Sequence, residues 1–72
     1  MKRENLIKIK INGIEKKIKP NTTIQTLLKE LEILDKTMAI AVNMQIVKKE
    51  NWDKYILKEG DKIEALNFVG GG

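Results

Sequence analysis

Isoleucine and lysine alternate through Leu6-Ile7-Lys8-Ile9-Lys10-Ile11, and Asn12-Gly13 follows at once. Strict period-two alternation sends Ile7, Ile9 and Ile11 to one side of an extended chain and the lysines to the other, the pattern of a half-buried strand. A helix would scatter the same side chains around its circumference. Asn-Gly is the strongest short hairpin signal, because both residues tolerate the positive φ of a type I′ turn. Ile14-Glu15-Lys16-Lys17-Ile18 reads as the return strand. Pro20-Asn21 stops it, since proline has no N–H to give a ladder. The chain therefore starts as an antiparallel hairpin whose apolar side needs a cover.

The next segment supplies one. Thr22 or Thr23 suits a helix N-cap, and Thr22 with Gln25 has capping-box spacing. Ile24, Leu27, Leu28, Leu31 and Leu34 fall at helical spacing on one stripe, with Lys29, Glu30 and Glu32 away from it. The spacing predicts an amphipathic helix of about three turns packed on a sheet. Met38-Ala39-Ile40-Ala41-Val42 carries no charge and reads as a strand buried on both faces, followed by an Asn43-Met44-Gln45 turn and a short Ile46-Val47 strand. Residues 50–57 show no period, and Trp52 and Tyr55 are expected to pin this excursion to the core edge as packing anchors. After a Lys58-Glu59-Gly60-Asp61 turn, residues 62–69 form the last strand. Ile63 and Ala65 share one face, while Leu66 and Phe68 share the other with Glu64. Leu66 and Phe68 thus leave apolar surface either for a partner or for the Trp52 segment to cover. Strands grouped around one helix predict an α+β fold of four to five strands with the helix on one sheet face.

At 72 residues the chain is one small domain, hiding roughly 60% of its unfolded surface. It has no cysteine, histidine or serine. Disulfides, thiolate-held metals, Ser-His and Cys-His nucleophile pairs and the usual neutral-pH base are all excluded, which argues against an enzyme. A carboxylate site would have to come from Glu59, Asp61 and Glu64, and a solvated turn and strand edge account for those better. Residues 1–19 carry seven basic and two acidic side chains, a net of +5, whereas the remainder nets −1. A basic hairpin could meet nucleic acid or an acidic partner. One arginine and three aromatics are too few readout groups to favour nucleic acid, and lysine also simply fills solvent-facing positions. No apolar run approaches the roughly 20 residues of a membrane span, and the N-terminus lacks a signal-peptide pattern, so a cytoplasmic location is expected.

The chain stops in an unusual way, at Val69-Gly70-Gly71-Gly72. Three glycines bury nothing and are costly to order. As a tether, however, they carry the Gly72 carboxylate roughly 10 Å beyond a folded body at about 3.3–3.6 Å per residue. Without Cβ atoms they also fit a channel too narrow for other residues. The expected organisation is a folded domain over 1–69 and a flexible tail over 70–72.

These features together resemble the ubiquitin-like β-grasp sulfur carriers of the ThiS/MoaD superfamily, most closely the ThiS family of thiamine biosynthesis. The resemblance runs from Ile7 onward through Ile11-Asn12-Gly13, Thr23-Ile24-Gln25-Thr26-Leu27-Leu28, Ala41-Val42-Asn43 and Ile46-Val47 with Trp52 five residues later. It continues through Leu57-Lys58-Glu59-Gly60-Asp61-Lys62-Ile63-Glu64 to Val69-Gly70-Gly71-Gly72. The chain departs from it at Met44, where the family often has glycine, and at Lys48, where it often has proline. The resemblance implies a mixed sheet with the first and last strands parallel and adjacent. It implies that Gly72 carries sulfur: a ThiF-like adenylating enzyme, using ATP and magnesium that this chain does not itself bind, would activate the carboxylate. Sulfur from a cysteine desulfurase or sulfide would then give a thiocarboxylate for a ThiG-like thiazole synthase. Gly70 and Gly71 would thread into the partner, Leu66, Phe68 and Val69 would form the partner surface, and the free carrier would be a monomer. No residue of the chain would be catalytic, and none would bind a metal. A MoaD-like carrier for molybdopterin, or one for tRNA thiolation or protein conjugation, shares the tail chemistry. A β-grasp interaction or RNA-binding module using the lysine hairpin is the alternative of another class.

Overall fold

The computed structural model describes residues 5–67. The expected contact residues Phe68 and Val69, the glycines Gly70, Gly71 and Gly72, and the boundary drawn at residue 69 lie outside the described residues.

Strands β1 (Ile7–Ile11) and β2 (Ile14–Ile18) form the expected hairpin, in register from Ile7 opposite Ile18 to Ile11 opposite Ile14. Asn12 and Gly13 have φ of 50° and 84°, the two positive values that a type I′ turn requires. Helix α1 spans Ile24–Glu30, β3 Thr37–Val42, β4 Gln45–Val47 and β5 Lys62–Asn67. The five strands lie in the order β2-β1-β5-β3-β4. β1 and β5 are parallel and the other pairs antiparallel, so the sheet is mixed and the last strand is its centre. The parallel pair is possible because α1 lies between its strands in sequence and serves as the crossover.

α1 is shorter than the stripe of leucines predicts. Ile24, Leu27 and Leu28 are fully buried, but the helix ends at Glu30 after two turns. Glu32 adopts a φ of 60°, the Glu32 N–H donates to the Lys29 carbonyl, and the Ile33 N–H donates to that of Leu28. This is a Schellman ending, with a glutamate at the left-handed position where glycine is usual. Leu34 falls in a separate 3₁₀ turn (Leu34–Lys36). A seven-residue helix is unstable alone in water, so packing and caps must hold it.

Its N-terminal cap also differs from the expected box. Thr23 Oγ1 accepts from the Thr26 N–H at 3.2 Å, whereas Thr22 donates its hydroxyl to the Lys19 carbonyl. The Ile24 and Gln25 N–H groups donate to the carbonyls of Tyr55 and Trp52. The aperiodic 50–57 stretch therefore exists to satisfy helix N–H groups that have no partner within the helix. Trp52 anchors it, buried in the core with its indole N–H on the Val47 carbonyl at 2.8 Å.

β3 corrects the expectation of a strand buried on both faces. Its pairing with β5 slips between Thr37 and Ala39, which is a bulge. Thr37 and Ile40 are both buried although two residues lie between them, a spacing that puts residues of a regular strand on opposite faces, so Met38 and Ala39 both turn away from the core. Met38 is 60% exposed. The core is a single layer between α1 and one sheet face, made of Ile9, Ile11, Ile18, Ile24, Leu27, Leu28, Ile40, Val42, Trp52, Leu57 and Ile63. Among the described residues no helix is long and apolar enough to cross a membrane.

Candidate partner-docking face

The face of the sheet opposite α1 is built by the alternate residues of the same strands. Leu66, the one expected contact residue among those described, is 61% exposed there. Its strand neighbour is Ala39, Ala41 stands opposite Glu64, and Ile46 stands opposite Ala41 on the other side. Ile46 is 72% exposed. The two alanines are too small to fill the space between Ile46 and Leu66, leaving a shallow hollow of about 310 Å³ with Glu64 at its margin. Met38 extends this apolar area along β3.

Of the two readings of Leu66 that the sequence offers, covering by the Trp52 segment does not occur. That segment lies on the helix side, where its carbonyls cap α1. It leaves Leu66 uncovered. The other exposed large apolar side chains, Leu6, Ile14, Met44 and Ile56, are separated by position, and single exposed apolar residues are ordinary. Ile46, Leu66 and Met38 on one sheet face form a group, which is the pattern of a contact surface. Sequence reasoning missed Ile46, Ala39 and Ala41. Alternation was their signal: Ile40 and Val42 point inward, so Ala39 and Ala41 must point out.

β5 is held at its end from both sides. Its last described residue, Asn67, pairs with Thr37 at the start of β3. The Thr37 hydroxyl is buried and donates to the Ile33 carbonyl at 2.7 Å, tying that end of the sheet to the helix ending. On the β1 side, the Ala65 N–H donates to Asn12 Oδ1 at 2.8 Å, so the hairpin turn braces β5 just before its end. Residues beyond Asn67 are thus attached to a central strand held from both sides.

The three carboxylates weighed as a catalytic set are not brought together for chemistry. Glu59 accepts the Lys8 N–H at 3.0 Å. Asp61, nearly buried, accepts the Lys58 N–H at 2.8 Å and the Asn43 amide at 3.0 Å. Asn43 Oδ1 in turn accepts the Lys62 N–H, so Asp61 and Asn43 knit the β3–β4 turn to the 58–61 turn. Glu64 stands on the open face. Among the described residues no group of three or more acidic side chains could hold a metal ion.

Comparison with known proteins places this geometry in a family. The model of the ThiS family matches residues 9–72, most of the chain and all three terminal glycines. The sulfur carrier protein ThiS of Bacillus subtilis is 37% identical over 65 residues, covering 89% of this chain and 98% of that one. A thiazole synthase of Paramagnetospirillum magneticum is 35% identical over 66 residues, 92% of this chain. The match takes up only 20% of that relative, so the chain spans about a fifth of the thiazole synthases it resembles. The crystal structure of the thiamine biosynthesis protein ThiS from Geobacter metallireducens superposes with a TM-score of 0.72, at 24% identity, over 92% of this chain and 100% of that one. That likeness establishes the β-grasp fold.

Proposed function

The chain belongs to the ThiS family, and from that premise we propose that it is a sulfur carrier of thiamine biosynthesis whose Gly72 carboxylate is the carrying group. The observation that carries the reading is the family match through residue 72, which includes Gly70, Gly71 and Gly72. A carboxylate does not exchange oxygen for sulfur unaided, because it is a poor electrophile with no leaving group. In the proposed sequence the Gly72 carboxylate oxygen attacks the α-phosphorus of ATP in a ThiF-like enzyme, and pyrophosphate leaves. The resulting acyl-adenylate is a mixed anhydride. A persulfide or sulfide sulfur then attacks its carbonyl carbon and AMP leaves. When a persulfide is the donor, the product is an acyl disulfide, and a second thiol then attacks the donor's sulfur, forming a disulfide with it and releasing the thiocarboxylate. ATP and magnesium belong to the adenylating partner, as does the catalysis, and this chain is a co-substrate. Similarity to a segment of thiazole synthases supports a thiazole synthase as the sulfur acceptor.

The open face suits this work. It offers Ile46 and Leu66 around an alanine-floored hollow that an apolar side chain of the partner can fill. Docking there holds β5 still, so that the glycines reach the partner's active site from a fixed root. Cβ atoms at Gly70 or Gly71 would obstruct a channel shaped for bare backbone. The test is exchange of labelled pyrophosphate into ATP by the cognate adenylating enzyme. Exchange that depends on this chain and disappears when Gly72 is deleted supports the reading. Exchange that persists without Gly72, or with Gly71→Val, contradicts it.

A further inference from the structure

The open face is divided electrostatically as well as by polarity. Its β3–β4 half is apolar, whereas its β2–β1–β5 half presents Lys17, Lys8, Lys10 and Lys62 from three adjacent strands. Lys8 stands directly opposite Lys17, and Lys10 lies between Glu15 on β2 and Lys62 on β5. Like charges in those positions repel and destabilise a sheet. Among the described residues one ion pair tempers them, from Lys8 to Glu15 at 3.6 Å with both side chains more than half exposed, a geometry worth little in water. The Glu59 carboxylate close by is engaged with the Lys8 backbone N–H. Lys8, Lys10 and Lys62 line a hollow of about 260 Å³ with Glu15, Glu59 and Gly60, large enough to admit a side-chain carboxylate.

We infer that the protein surface docking on this face is itself divided: apolar where it meets Ile46 and Leu66, and acidic where it meets Lys8, Lys10, Lys17 and Lys62. The acidic patch relieves the repulsion between the paired lysines and steers the approach, so the lysine half governs the speed of association and the apolar half its duration. An acidic protein fits better than nucleic acid. Among the described residues the face carries no aromatic side chain on which a base could stack, since Trp52 is buried in the core and Tyr55 lies in the segment that caps the helix. It also has no arginine among the described residues for bidentate phosphate contacts. The basic and apolar halves meet on β5, where Glu64 stands between Lys62 and Leu66, so a single partner can cover both.

The inference rests on the proposed carrier function, because the probe is the cognate adenylating enzyme. Association rates would be measured by stopped flow with the full chain, with Lys10→Glu/Lys62→Glu, and with Lys29→Glu/Lys54→Glu as a control of equal charge change elsewhere on the surface. The open-face pair is expected to slow association by roughly tenfold or more at low salt, and the control pair by about twofold or less. The difference should vanish near 1 M salt, where the screening length is about 3 Å. Equal slowing by both pairs, or none by either, would overturn the inference. So would unchanged enzyme association coupled with lost retention of a single-stranded RNA, which would assign the lysines to nucleic acid. These failures are distinct from failure of the carrier reading, in which the unmodified chain neither binds the enzyme nor gains sulfur. Circular dichroism of each variant separates lost docking from lost fold.

Discussion

On the face under α1, Ile9, Ile11, Ile40, Val42 and Ile63 are almost wholly withdrawn from water, while on the reverse of the same strands Ile46 and Leu66 stand mostly in it. Both faces hold large aliphatic side chains on the same backbone, so composition does not separate them. The covered face closes on a helix that cannot stand alone, and each side chain there contributes to stability in proportion to the apolar area it loses. The open face leaves a hollow over Ala39 and Ala41, which adds nothing to the free domain and has value only when a second surface fills it. In the proposed function, stability and recognition therefore fall on opposite sides of one sheet.

Substitutions can break that division or sharpen it. The largest effect is expected from Leu27→Ala on the covered face, at about 2–5 kcal/mol of lost stability. A domain of this length holds only about 4–11 kcal/mol in total. Urea unfolding should therefore show a much lowered midpoint or a population already unfolded in buffer. Ile46→Asp with Leu66→Asp is its counterpart on the open face. The urea midpoint should stay near that of the unmodified chain, while affinity for the adenylating enzyme falls by roughly 30-fold or more, the loss of about 2 kcal/mol typical of central contact residues. A fold lost with these two residues would break the division. Asp61→Ala sits between the faces, freeing the Lys58 N–H and the Asn43 amide, and should cost about 1–3 kcal/mol by thermal or urea unfolding.

The smallest effect concerns two turns of the same type. Asn12-Gly13 and Asn43-Met44 both need positive φ at their two central residues, and Met44 carries a φ of 70° where Gly13 carries 84°. Met44 is 91% exposed and has little packing to lose. Met44→Gly should therefore stabilise the domain by about 0.5–1 kcal/mol, seen as a raised urea midpoint. No change, or a loss, would mean that the side chain contributes contacts beyond the turn.

Much of this organisation was legible in the chain. Alternation around Asn12-Gly13 specifies the hairpin and its buried side, and the helix start follows from threonine before Ile24. The parallel pairing of first and last strands came with the family resemblance. Two features were hidden because nothing local encodes them. The helix ending turns on Glu32 in a left-handed conformation, and without a glycine there the leucine stripe reads on to Leu34. The bulge at Met38 and Ala39 changes which residues share a face, and a simple period cannot reveal it. The Trp52 segment reads as irregular because its backbone serves another element, supplying carbonyls to the N-terminus of α1. Half of the candidate face was visible as Leu66, while Ile46 and the alanines needed the strand order to bring them beside it.

The central claim is that sulfur travels on the last residue of this chain. The direct measurement is the intact mass of the chain after incubation with the cognate adenylating enzyme, ATP, magnesium and a sulfur source. The account predicts a gain equal to one oxygen-to-sulfur exchange, confined to the C-terminal peptide and absent when Gly72 is removed. An unchanged mass in the presence of a matched enzyme shown to be active, or a gain that survives removal of Gly72, would contradict it.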